Sequence, residues 1–133
     1  MAKKKRRYIT EYIKIFPLLF LGILIFTFLD FLIHSLSQNL SVPEYYFRNK
    51  IIFATIYACI IYFFVRKMQT WKQALITTSI IAILLQIRYF YEGYNLQFVI
   101  EFLFIHWGIL FLVLWITYIF GKKVLRKKPK TRK

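Results

Sequence analysis

The stretch from Phe98 to Phe120, FVIEFLFIHWGILFLVLWITYIF, decides the fold. It carries one charge, Glu101, and is longer than the roughly 20 apolar residues a helix needs to cross a hydrocarbon core of about 30 Å. Three further stretches reach that length: Ile15 to Leu36, Tyr45 to Val65 and Ala74 to Tyr91. They do so only if Asp30, the Arg48/Lys50 pair and Arg88 are admitted inside or at the edge of a span. The whole chain, 133 residues with 59% hydrophobic and 21% aromatic content, is too apolar to be enclosed by one compact soluble core. The expected fold is an all-α integral membrane protein, an antiparallel four-helix transmembrane bundle. Its parts are a basic cytoplasmic segment at 1–14, a transmembrane domain at 15–121 with spans at 15–36, 45–65, 74–91 and 98–120, and a basic disordered tail at 122–133.

The charge pattern sets the orientation. With the N-terminus inside and four crossings, seventeen of the twenty Lys and Arg residues fall on the inner side, and only Arg48, Lys50 and Arg88 fall outside. An excess of Lys and Arg on cytoplasmic loops is the usual orientation signal, and two or three crossings would not produce it here. Aromatic residues that favour the headgroup level sit at the same boundaries, with Tyr12, Trp71 and Tyr118 inside and Tyr45, Tyr46, Tyr89, Tyr91 and Tyr94 outside. Both termini are therefore expected in the cytoplasm of a cell whose cytoplasmic membrane holds the chain. The basic start followed by an apolar run looks like a secretion signal, but the run is long and no small-residue cleavage site follows, so it reads as a retained first helix.

Lys3, Lys4, Lys5, Arg6, Arg7, Lys122, Lys123, Arg126, Lys127 and Lys128 are assigned to anionic lipid headgroups at the cytoplasmic face. That reading is preferred to a nucleic-acid arm, because a basic cluster directly beside a span already has a topological and lipid-binding role. The single cysteine, Cys59, lies mid-span and reads as a small buried apolar group. No HExxH, CxxC, GxSxG or phosphate-cradling glycine run is present, which removes the familiar zinc and serine hydrolase signatures. GxxxG is missing as well, so helix packing is expected through bulky side chains, with close approach only at Ala54 and Ala58.

Polar residues inside the spans concentrate toward the outer half. At about 100° per residue, Thr27, Asp30, His34 and Ser37 share one face of the first helix, and Asp30 and His34 stand four apart, within mutual reach. By helix rise Asp30 lies about 9 Å below the outer boundary. An ionisable residue there is costly against lipid and faces an interior with a partner, either His34 itself or Arg48 or Arg88 from neighbouring helices. His106 lies about 12 Å deep on the fourth helix, while Glu101 is rotated away from it toward Gln97. Gln86 lies on one face of the third helix and Arg88 on another, where it can bridge to Glu92.

Asp30, His34, Gln86 and His106 are thus expected to form a polar pocket, supported by Thr27, Arg48, Arg88 and Glu101. The leading functional expectation is binding or transport of a small polar or lipid-linked substrate, with Asp30 exchanging a proton. No cofactor is predicted. An alternative makes the chain a metal or haem enzyme or redox subunit with His34 and His106 as ligands. A third makes it a structural subunit of a homodimer or larger membrane complex.

Overall fold

The computed structural model describes residues 2–126, with side chains from Tyr8 onward. The chain forms four long helices, α1 (Ala2–His34), α2 (Tyr45–Val65), α3 (Thr70–Tyr91) and α4 (Leu96–Arg126), and no strand among the described residues. Each is long and apolar enough to cross a membrane. The side chains of Lys3, Lys4, Lys5, Arg6 and Arg7, together with Lys127, Lys128 and the rest of the tail, lie outside the described residues.

Two boundaries differ from the expectation. α1 begins at Ala2 and not near Ile15, so most of the basic segment continues the helix, which passes through Pro17. Pro17 is exposed, where the carbonyl it leaves without a partner is least enclosed by neighbouring helices. α4 likewise continues past Phe120 to Arg126.

The buried faces explain the packing. On α1 the fully buried positions are Ile15, Leu19, Ile23, Phe26, Asp30 and His34, spaced by three or four residues; on α4 they are Phe102, His106, Leu110, Leu114 and Tyr118. Each is one stripe of a 3.6-residue period that changes from apolar to polar toward one end. α1 and α3 each pack against both α2 and α4, so the four helices close into a ring. Tyr62 hydrogen-bonds Glu11 and Thr77 bonds Tyr118 at one end. Asp30 meets Lys50 and His106 toward the other, so neighbouring helices run antiparallel.

α1 and α4 approach more closely than expected for helices so rich in Phe and Leu. A Cβ at Gly22 would stand 2.6 Å from Thr117 Oγ1, and one at Gly121 would collide with the end of Ile15. This α1–α4 approach uses glycines far apart in sequence, while Ala54 and Ala58, where close approach was expected, are buried on α2. No local GxxxG spacing marks those glycines.

The connections are tight and individually secured. Residues 35–44 contain a 3-10 turn at Gln38–Leu40, with the Ser37 hydroxyl accepting from Asn39 N–H at 3.2 Å. Between α2 and α3, the Gln73 amide donates to the Val65 carbonyl at 3.0 Å, and Lys122 Nζ reaches the Met68 carbonyl at 2.8 Å. Before α4, Gly93 turns the chain at φ 85°, and Asn95 Oδ1 caps the helix by accepting from Phe98 N–H at 2.7 Å.

Candidate functional site

Two apolar clusters fill the ring. A larger one runs from Ile15 and Val65 to Phe26 and Leu110, and a smaller aromatic one comprises Tyr46, Tyr89, Phe98 and Phe102 with Val42 and Val99. Where they meet, α1 presents Asp30, α2 Lys50, α3 Gln86 and Tyr89, and α4 His106, all buried. Burying an ion is costly unless it is paired and hydrogen-bonded, and here every helix supplies part of the compensation.

The Asp30 carboxylate is the hub. Its Oδ2 accepts from the Lys50 ammonium, its Oδ1 accepts from His106 Nε2 at 2.7 Å, and His34 Nε2 lies 3.6 Å away. The hydrogen-bond directions follow from the partners. Leu40 presents a backbone carbonyl to His34 Nδ1, so that nitrogen carries the proton and Nε2 is the acceptor. Tyr89 Oη, 3.3 Å from that Nε2, donates to it and in turn accepts from Lys50 Nζ at 3.1 Å. On the other side, Gln86 Nε2 donates to His106 Nδ1 at 2.8 Å, which leaves the proton on Nε2 facing Asp30. One hydrogen-bonded chain, Leu40–His34–Tyr89–Lys50–Asp30–His106–Gln86, therefore crosses the bundle with Asp30 ionised, Lys50 charged and both imidazoles neutral.

Packing holds these groups in place. The His34 ring stacks on Phe102 at 4.3 Å between centroids and 4° between planes, and Tyr89 stacks on His106 at 5.9 Å and on Tyr46 at 5.3 Å. The centroids of the two imidazoles are 6.3 Å apart, with the Asp30 carboxylate within reach of both. At the loop end Tyr94 packs on Phe98, and burial, then the nearby Glu92 and Tyr45, push its hydroxyl pKa up, so it remains a neutral phenol.

Asp30, His34, Gln86 and His106 thus come together, and the supporting residues divide. Arg48 was an expected partner of Asp30, but it is exposed on α2, because two residues of helix rotate it about 200° from the buried Lys50. Arg88 pairs with Glu92 at 3.0 Å and lies over the Tyr46 ring at 4.6 Å. Glu101 is exposed and accepts from Gln97 at 2.8 Å. Thr27 is buried, but its hydroxyl has no hydrogen-bond partner in the described structure. Lys123 and Arg126 are exposed at the opposite end, whereas Lys122 is turned to the 66–69 connection.

Lys50 and Tyr89 are the residues the sequence reading missed: Lys50 was assigned to an outer loop and Tyr89, which is buried, to the headgroup boundary. For Lys50 the available signal was depth: it lies five residues into α2 and Asp30 four residues from the end of α1, and an acid in a span calls for a base near its own level.

Two chemical capacities follow. The donors and acceptors around Asp30 form a connected path between their members. Asp30, His34 and His106 also each offer one atom within 4.8 Å of the others, a two-histidine, one-carboxylate set suited to a divalent transition metal. The backbone carbonyl on His34 Nδ1 orients that ring as metal-binding histidines are oriented, but the Lys50 ammonium already meets the same carboxylate and would have to be displaced.

Beside this layer, a cavity of about 240 Å³ opens between α2 and α3, lined by Tyr46, Asn49, Lys50, Phe53, Ala54, Tyr57, Ile81, Leu84, Leu85, Arg88 and Tyr89. Lys50 and Tyr89 belong both to its wall and to the buried chain. No family model, curated protein or solved structure matches this chain, so its function has to be read from this geometry.

Proposed function

We propose that the chain is a multi-pass protein of the cytoplasmic membrane, with both termini cytoplasmic, that binds a small polar or lipid-linked molecule in the outer half of the bilayer. The α2–α3 cavity is the binding site and Asp30 the proton-exchanging group behind it. The observation that carries this reading is the double role of Lys50, which lines the cavity and is the ionic partner of Asp30. A ligand group that competes for Lys50 alters the balance at Asp30, and the state of Asp30 alters what the cavity attracts. The inner-side excess of Lys and Arg supports the orientation.

Two experiments test the proposal. For orientation, single cysteines at Asn39 and Gln69 in a Cys59→Ser background are exposed to an impermeant thiol reagent from outside. Label at Asn39 and none at Gln69 is expected, and the reverse pattern overturns the map. For binding, protein taken from membranes in mild detergent is weighed intact by native mass spectrometry. A retained small molecule that is lost on filling the cavity with Ala54→Phe is expected. Equal masses for the two proteins, after allowing for the substitution, count against a binding site there.

The Asp30, His34 and His106 donor set favours a second reading, a divalent-metal centre. Stoichiometric metal in the purified protein, lost on His106→Ala, would put that reading ahead.

A further inference from the structure

We infer that a cleft between the start of α1 and the end of α4 binds the headgroup of an anionic phospholipid whose phosphate is a monoester carrying two negative charges. The cleft lies at the end of the bundle opposite the Asp30 layer, where Glu11 meets Tyr62, and the inference does not rest on the α2–α3 cavity.

Packing fixes the shape of the cleft. Ile15 on α1 meets Gly121 on α4, and this contact sets the register of the two antiparallel helices. Lys14 precedes Ile15 and Lys122 follows Gly121, so the two lysines stand at one level. One turn of helix further out, Thr10 and Glu11 come level with Leu125 and Arg126. These six residues line an open cavity of about 560 Å³. Sites that hold a small molecule measure roughly 300–1,000 Å³, so a headgroup fits.

Charge gives the chemistry of the occupant. The wall has three cations, Lys14, Lys122 and Arg126, against the one carboxylate of Glu11, so it complements a dianion. No ion pair joins any of these cations to an acid among the described residues. Lys122 Nζ donates to the neutral Met68 carbonyl at 2.8 Å, which holds the ammonium in place and leaves it two further N–H donors. Glu11 is engaged from α2, accepting from Tyr62 Oη at 2.8 Å. A phosphate monoester carries about −1.5 to −2 charges at pH 7 and offers three acceptor oxygens, which matches the excess of cations. A phosphodiester carries a single charge and leaves half of that excess unbalanced.

Position assigns the phosphate to a lipid. Residues 15–29 of α1 and 102–121 of α4 contain no Asp, Glu, Lys or Arg, so the cleft lies where both helices pass from charged to apolar sequence. That transition marks the headgroup level of a bilayer. Phe16 and Phe120, each two residues to the apolar side of a wall lysine, are exposed and offer acyl chains a surface that a free phosphate would not use. Sequence alone assigned Lys122 and Arg126 to headgroups separately, whereas the fold adds Lys14 and joins the three in one site.

The test titrates the full chain with lipid in nonionic detergent and counts bound molecules by native mass spectrometry. The medium is about 0.15 M ammonium acetate, in which exposed charges more than about 8 Å apart are largely screened. Dioleoyl phosphatidate is expected to bind saturably, one per chain, and at least about fivefold more tightly than dioleoyl phosphatidylglycerol, whose phosphate is a diester. Lys14→Gln/Arg126→Gln, both at exposed positions, should weaken phosphatidate at least about tenfold, since two cations beside the headgroup are lost. Lys67→Gln/Lys72→Gln removes the same charge from the same end of the bundle but outside the cleft, and should change the affinity by less than about twofold. If Lys14→Gln/Arg126→Gln does not fold, Lys14→Gln alone replaces it against Lys72→Gln, with about threefold weakening expected.

Equal weakening by the two double variants reduces the site to general attraction for a basic surface and overturns the inference. Equal affinity for phosphatidate and phosphatidylglycerol overturns the dianionic headgroup. Displacement of bound phosphatidate by an equal concentration of inorganic phosphate assigns the cleft to a free anion and overturns the lipid. None of these results bears on the α2–α3 cavity, whose own test is the Ala54→Phe comparison.

Discussion

Removing either member of the Asp30–Lys50 pair should cost far more stability than removing both. The carboxylate has no exposed surface and Lys50 is 3% exposed, so neither charge can turn to solvent once its partner is gone. Breaking such a pair typically costs about 3–5 kcal/mol, because one charge is left buried and unpaired. Lys50→Met should fall at the low end of that range, since Asp30 keeps the His106 donor and can be discharged by a proton. Asp30→Asn should fall at the high end, because the ammonium is left against a phenol and a neutral imidazole. The double variant replaces the charges with groups of similar volume and should lie within about 1 kcal/mol of the original protein or above it in stability. The coupling between the sites should then be about 3 kcal/mol or more. Equilibrium unfolding in mixed micelles, followed by near-ultraviolet circular dichroism from the tryptophans, measures all four corners of the cycle. Single costs below about 1 kcal/mol that simply add in the double variant would refute a buried ion pair at this position.

Three other substitutions probe different parts of the same structure. Gly22→Ala should destabilise by about 1–3 kcal/mol by overpacking the α1–α4 contact against Thr117. Adding Thr117→Ala should recover part of that loss, and the same unfolding assay checks both. Asn95→Ala removes the side-chain cap of α4 and should cost about 1 kcal/mol, with faster amide exchange confined to the first turn of that helix. Gln86→Leu leaves His106 Nδ1 without its donor in a buried site and should cost about 1–3 kcal/mol. A shift in the His106 ring nitrogen resonances on that change would report the altered tautomer, and unchanged resonances would argue against the Gln86–His106 bond.

The spans were legible because length and hydropathy report a bilayer directly, and α2 runs from Tyr45 to Val65 as read. Asp30 and His34 were legible as a pair because four residues of helix set their spacing regardless of tertiary structure. Rotation about the helix axes was not legible. In a helix surrounded by hydrocarbon, the lipid-facing and core-facing sides are both apolar, so the period that marks a buried stripe in a soluble protein is weak. Only polar residues reveal the inner face, and α2 offered Arg48 and Lys50 with nothing local to choose between them. The choice is made by Asp30 and Tyr89, which come from other helices. The glycine contacts were hidden for the same reason: Gly22 matters because of Thr117, and Gly121 because of Ile15.

The bond from His34 Nδ1 to the Leu40 carbonyl gives the buried chain a handle at the surface. Leu40 closes the 3-10 turn at Gln38–Leu40, a turn with no buried residue of its own. That turn and the imidazole are joined by this one bond. Unwinding those three residues would withdraw the carbonyl that fixes the proton on Nδ1, and with it the constraint on which ring nitrogen meets Tyr89.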